Sequence, residues 1–422
     1  IPSGFAPLPR TQCPSCGYSH DPGTPMPVAN GDRILVLKCL YQFLEPKRWD
    51  VIVFKTPTDP NINYIKRLIG LPGETLQIID GDVYIDGQIA RKPTKVQDGL
   101  WMPVYDNDYQ PVDQYSAIYD RQKWEQPFSY SDSSLWSIDK SSPTLFLLNS
   151  SEDQINTLHY NTKITNDFRT MYAYNSAIRN KDMPYCSDLM VRFYCRADSE
   201  KGSIGISLSK YQSFYRASVD FSGAMVITRS IEGGEPMELA RKTIGSPVID
   251  QLNGTLVKFA NVDHQLIFEY GNEKLAFDMG LNPEDAGPIR AIIRPKVEIF
   301  GSGKLTLSHV AVFRDIHYTS ETQGGAWGRA TDKPFPLQKD EFFVLGDNSP
   351  NSEDCRWWRI EGIANPSLPP YRAGIVPRDY LVGKALFVYW PSGFRPFGRF
   401  PFGIVPNVGH MRFIYGGSNN YH

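Results

Sequence analysis

Apolar residues in this chain fall in short runs and in alternating patterns, and no stretch sustains the 3.6-residue spacing of an amphipathic helix. Two runs near the start, at 34–37 and 51–54, are bounded by Gly, Asp and Pro and read as buried strands. Further along, evenly spaced segments at 189–195, 203–208, 215–221, 224–229, 256–262, 265–270, 273–277, 297–301 and 304–313 predict more strands. Alternation is clearest in Leu189-Met190-Val191-Arg192-Phe193-Tyr194 and in Leu266-Ile267-Phe268-Glu269-Tyr270. Turns such as Gly271-Asn272 and Gly301-Ser302-Gly303 separate them, the rhythm of an antiparallel β-sandwich. The chain reads as mainly β.

Within the first apolar block one residue breaks the pattern. Tyr64-Ile65-Lys66-Arg67-Leu68-Ile69 places a lysine inside a β-prone run closed by Gly70-Leu71-Pro72-Gly73. An amine in an apolar site loses hydration, and burial lowers its pKa. A neutral amine beside a hydroxyl can take that proton and make a nucleophile without histidine. Taken alone, Lys66 is as well explained by a solvated strand face beside Arg67.

Its neighbours in sequence order change that reading. Gly31-Asp32 leads into the first strand, Arg48-Trp49-Asp50-Val51 into the second, and Gly346-Asp347-Asn348 continues to Asn351-Ser352-Glu353-Asp354-Cys355-Arg356 far downstream. In this order the segments resemble the type I signal peptidases, serine–lysine endopeptidases that remove signal peptides from exported proteins. The long insert and the early Cys-x-x-Cys resemble the large planctomycete-type members. The resemblance implies a signal-peptidase-like β-barrel core, while the strand rhythm of the insert, ending in Leu305-Thr306-Leu307-Ser308-His309-Val310-Ala311-Val312-Phe313, separately resembles a concanavalin or laminin-G-like sandwich. The expected divisions are 1–93 and 332–422 for the two core parts and 94–331 for the insert.

Carried over residue by residue, the resemblance makes Lys66 the general base and Ser352 the hydroxyl that orients its amine. Asp354 and Arg356 become a supporting ion pair, and Asp347 helps build the loop. The family's attacking serine follows an Ile-Pro-Ser-Gly motif, but here Ile1-Pro2-Ser3-Gly4 is followed by Phe5. Ser3 corresponds to the neighbouring serine, whose hydroxyl can stabilise an oxyanion. Three accounts stay open: residues missing between Gly4 and Cys13, a lost nucleophile, or attack by Ser3 itself. The family is anchored by a transmembrane helix, whereas this chain has no apolar stretch of that length, so a segment before Ile1 is expected.

The formal net charge of −2 gives no electrostatic footprint for nucleic acid. Six cysteines are too few for a dense disulfide scaffold. Cys13 and Cys16 have knuckle spacing, with His20 nearby, and fit a structural zinc, a local disulfide or two free thiols. Cys186 and Cys195 flank one strand and are too far apart along it to bond directly, while Cys39 and Cys355 read as buried small residues. Trp101, Trp124 and Trp136 are expected in the core rather than on a sugar. The tail at 393–406 interleaves Phe, Pro and Arg, and either packs on the barrel or dips into lipid.

The functional expectation is a signal peptidase on the outer face of the bacterial cytoplasmic membrane, needing no cofactor for catalysis. Its partners would be signal peptides, the lipid surface and a carbohydrate or protein ligand of the insert. The alternative is a catalytically inactive peptidase scaffold carrying a binding sandwich in the cell envelope.

Overall fold

The computed structural model describes residues 12–18, 31–111, 118–119, 122–138, 142–171, 183–199, 201–245, 253–283, 292–321, 327–364, 369–391 and 407–417. Strands dominate, and the described helices are single short turns such as Leu40–Phe43 and Thr94–Asp98. The chain divides into two compact units, one formed by Ile1–Gly23 with Trp101–Ile316 and the other by Thr24–Leu100 with His317–His422.

In the second unit a seven-stranded antiparallel sheet runs in the order Arg33–Leu37, Leu381–Trp390, Val51–Thr56, Asp59–Gly70, Glu341–Leu345 and Val376–Pro377, with Arg412–Phe413 added on Leu381–Trp390. A four-stranded sheet of Phe335–Pro336, Thr75–Ile79, Asp82–Ile85 and Gln88–Ile89 accompanies it. The first strand departs from expectation. It lies at the sheet edge with only one neighbour, and Leu35 and Leu37 are exposed rather than buried. The Glu341–Leu345 strand lies inside the sheet and is buried at every position, as its apolar run Phe342-Phe343-Val344-Leu345 requires, with Glu341 buried beside Arg372.

The other unit is a pair of antiparallel sheets. One runs Phe128–Ser129, Asn156–Tyr160, Val297–Ser302, Ser203–Lys210, Ser213–Asp220, Ala224–Ile231 and Met237–Thr243. The other runs Trp136–Ile138, Phe146–Asn149, Lys304–Arg314, Leu189–Ala197, Thr255–Val262, Gln265–Tyr270 and Glu273–Asp278, with Met102–Asp106 also paired to Lys304–Arg314. Alternate residues of both sheets, including Val191, Phe193, Ile206, Leu208, Phe259 and Phe268, meet in one core. Trp124 and Trp136 belong to that core, while Trp101 packs half-buried against a smaller apolar cluster.

No disulfide bond is formed among the described cysteines. Cys186 and Cys195 are buried and not joined to each other, and Cys355 is buried too; Cys39, expected inside, is exposed instead, at the start of the short Leu40–Phe43 turn.

Candidate functional site

Lys66 and Arg67 are consecutive in a strand, so their side chains leave opposite faces of the sheet. That alternation gives the two cations different partners. The Arg67 side chain is buried, donates to Trp49 O at 3.0 Å, and forms a two-pronged ion pair with Asp347 at 2.9 and 2.8 Å. Lys66 instead donates from Nζ to Ser352 Oγ at 2.9 Å. The strand before the loop, Glu341–Leu345, pairs directly with the lysine strand, with Leu345 opposite Arg67. This register carries the loop that follows, with Asp347 and Ser352, onto the two cations.

The loop is fixed from within. Asp354 and Arg356 are fully buried and joined by two bonds, at 2.9 and 2.8 Å. The Asp354 carboxylate also accepts from Gly346 N and Arg356 N. Arg356 spends its remaining N–H groups on Thr319 O, Ser349 O and Ser349 Oγ, at 2.8 to 3.0 Å. A charge pair this deep survives desolvation only because its donors and acceptors are satisfied. It acts as a peg around which the 346–356 loop is wound. Gly346 is forced by closeness: a Cβ there would stand 2.0 Å from Ser352 Oγ and 3.2 Å from Lys66 Nζ.

Burial is the main cause that pushes the Lys66 amine below its ordinary pKa of 10.5. Asp354 opposes it, Arg356 adds to it, and Glu353 and Cys355 oppose it more weakly. Asp354 and Arg356 are each other's counter-ions, so their fields at the amine pull in opposite senses. Tyr64, two residues before Lys66, puts its ring 5.7 Å from Nζ and donates its hydroxyl to Glu353 at 3.5 Å. The arrangement sets an amine of lowered pKa next to a hydroxyl, the pairing that base-assisted attack by an alcohol requires.

Of the residues expected at the site, Lys66, Ser352, Asp347, Asp354 and Arg356 gather here, while Ser3 lies outside the described residues. Cys13 and Cys16 sit in the sandwich unit, where Cys16 O accepts from Trp124 Nε1 and Thr165 Oγ1. The Cys16 thiol is pushed upward first by its hydrogen bond with the Cys13 side chain and then by burial. Two thiols are half of a structural zinc's ligand set; His20 lies outside the described residues, and among those no further His, Cys, Asp or Glu joins the pair. Sequence reasoning missed Ser349 and Thr319, which no short motif announces, and quoted Gly346 in its motif without the steric role it has here. It quoted Arg67 without a role, although its alternation with Lys66 could have assigned it to the opposite face.

The comparisons with known proteins fall on the same stretches. Residues 17–129 and 306–390 match the family described as "Signal peptidase, peptidase S26", together just under half of the chain. Signal peptidase I of Rickettsia akari is 57% identical over 48 residues, which is 11% of this chain and 18% of that protein. Signal peptidase I of Rickettsia prowazekii is 55% identical over the same length and the same shares. The chain thus spans about a fifth of the length of the curated relatives it matches. The resemblance to type I signal peptidases holds, and the split match is consistent with an inserted segment. Among solved structures, the carbohydrate-binding module CBM66 from Bacillus subtilis aligns with 44% of this chain and 95% of its own length, at 8% identity and TM-score 0.28. Sheep galectin-11 aligns with 31% of this chain and 92% of its own length, at 11% identity and TM-score 0.22. Likeness at those scores says nothing about what this chain binds.

Proposed function

We propose that this chain carries the catalytic core of a signal peptidase I-type serine endopeptidase working by a serine–lysine dyad. The observation that supports it most is the Lys66 amine, half-buried, lowered in pKa and 2.9 Å from Ser352 Oγ. In this reading Lys66 takes the proton of the attacking serine as that oxygen adds to the scissile carbonyl. It returns the proton to the leaving amine, giving an acyl-enzyme, and then activates the water that hydrolyses it. Ser352 holds the amine in line. The attacking serine is assigned to the N-terminal segment around Ser3. Substrates are signal peptides of exported proteins, bound extended beside the site on the outer face of the bacterial cytoplasmic membrane. Among the described residues no helix is long and apolar enough to cross a membrane.

Phe5 at the nucleophile position favours a second reading, an inactive peptidase scaffold whose sandwich binds a carbohydrate or protein in the envelope. One experiment separates the two: a preprotein is incubated with the chain and with its Lys66→Ala variant, and products are read by mass spectrometry. Cleavage at the signal junction that disappears in the variant supports the peptidase. Binding of the preprotein without any cleavage supports the scaffold and ends the catalytic reading.

A further inference from the structure

A separate cluster lies in the sandwich unit. Arg169 and Tyr185 face each other across an isolated antiparallel bridge. The Tyr185 side chain is buried, and the Arg169 guanidinium lies 4.3 Å from its ring centre. Arg169 Nη2 donates to Tyr185 Oη at 2.9 Å. Arg294, an exposed residue from a different part of the chain, donates to the same oxygen from Nε at 3.1 Å and Nη2 at 2.9 Å. Three N–H groups from two cations therefore converge on one neutral phenol oxygen, which offers only two lone pairs. The Tyr185 hydroxyl proton has no acceptor among the described residues.

The charges do not balance either. Asp167 accepts from Arg169 N at 3.0 Å and lies 3.4 Å from Arg169 Nε, so it serves Arg169. No described carboxylate lies within ion-pair distance of Arg294. Burial pushes the Asp167 carboxyl upward, although its hydrogen bond from Arg169 N and the charges of Arg169, Arg294 and Arg314 oppose this. Arg169 is held rigidly by its third bond, Nη1 to Met183 O at 2.6 Å. The outcome is a guanidinium held on three sides, an exposed one at the surface, and a hydroxyl with a proton to give.

We propose that Arg294, Arg169 and Tyr185 form a binding site for an oxyanion of sulfate or carboxylate type. The anion would sit against the outer edge of Arg294 and accept the Tyr185 hydroxyl proton, for which the described residues offer no acceptor. A planar two-pronged donor matches the geometry of such anions better than a lysine would. The site is independent of the peptidase reading, because every group in it belongs to the sandwich unit.

The test is titration of the whole chain with inorganic sulfate and, separately, with glucuronate, followed by calorimetry and checked against chloride at equal ionic strength. Saturable binding of either anion is expected. Arg294→Ala should weaken it about 10-fold or more, as for a lost charge-assisted hydrogen bond, and Tyr185→Phe by a smaller factor. Arg294→Lys, which keeps the charge and loses the fork, should fall between wild type and Arg294→Ala. Binding of sulfate alone identifies a tetrahedral ligand group, and binding of glucuronate alone a carboxylate on a sugar. Absence of saturable binding by both anions, or equal affinity in wild type and Arg294→Ala, overturns the proposal. Arg294 is exposed, so its loss leaves the fold in place, and circular dichroism verifies that.

Discussion

Lys66 and Lys210 both sit in strands, the first half-buried and the second buried, yet one amine meets a hydroxyl and the other a carboxylate. Lys210 ends the Ser203–Lys210 strand, and its Nζ lies 2.6 Å from Asp188, with both side chains almost fully buried. Asp188 in turn accepts from Asp263 N, and the carboxylate oxygens of Asp188, Asp263 and Asp315 lie within 4.8 Å of one another. There the ammonium is a structural counter-ion in an acidic corner. Lys66 has no carboxylate at ion-pair distance among the described residues; its bond goes to Ser352, and the nearest ion pair, Asp354 with Arg356, is closed on itself. Withdrawal from water therefore does not define a base. What matters is whether the partner needs the positive charge.

That contrast can be broken in order of effect. Lys66→Ala should lower signal-peptide cleavage by about 10²- to 10⁴-fold, the range for losing a general base, with little change in unfolding midpoint. Lys210→Ala should do the reverse: cleavage per folded molecule is kept, while stability falls by about 3–5 kcal/mol because a buried ion pair loses its cation. Urea unfolding measures this, and replacing both partners by apolar residues should return much of the loss. If Lys66→Ala proves the more destabilising of the two, the distinction between them is wrong.

Gly346→Ala comes next. The added methyl overlaps Ser352 Oγ, so the loop must shift at a cost of about 1–3 kcal/mol, and cleavage should fall more than stability does. The pH profile sharpens the contrast further. Only the unprotonated Lys66 amine can act, so cleavage should rise with pH through its folded pKa, at a pH below 10.5. In the window between that pKa and the ordinary one the folded state holds fewer protons at Lys66 than the unfolded chain, so this residue's contribution to stability also rises with pH. The smallest change is Glu353→Gln. Removing an exposed carboxylate that raises the Lys66 pKa should move the acidic limb of the profile to lower pH, by a fraction of a unit as exposed charges usually do. A limb that moves to higher pH would contradict the arrangement.

The site was readable in the sequence where chemistry is carried by unusual residues in a fixed order. A lysine in an apolar run and a Gly-Asp-Asn loop with Ser352, Asp354 and Arg356 stand out against any strand pattern. What escaped was whatever depends on neighbours distant in sequence. The strand Arg33–Leu37 looked buried because apolar content cannot tell an inner strand from an edge. Cys39 was expected inside for its residue type, yet it falls at the start of an exposed turn. The meeting of Arg169 and Arg294 on Tyr185 has no local signature at all. The sandwich rhythm was legible from alternation and turns, whereas Lys210 was unremarkable until the second sheet supplied Asp188.

The crowding at Gly346 has a consequence for how this protein can fail. With no room between loop and amine, a disturbance that lifts the loop also parts nitrogen from oxygen and lets solvent reach both. A mechanical fault then becomes a chemical one: the amine regains its proton in the same motion that takes its hydroxyl away. Damage at this spot should silence the centre abruptly rather than dull it by degrees, even while the surrounding sheet stays intact.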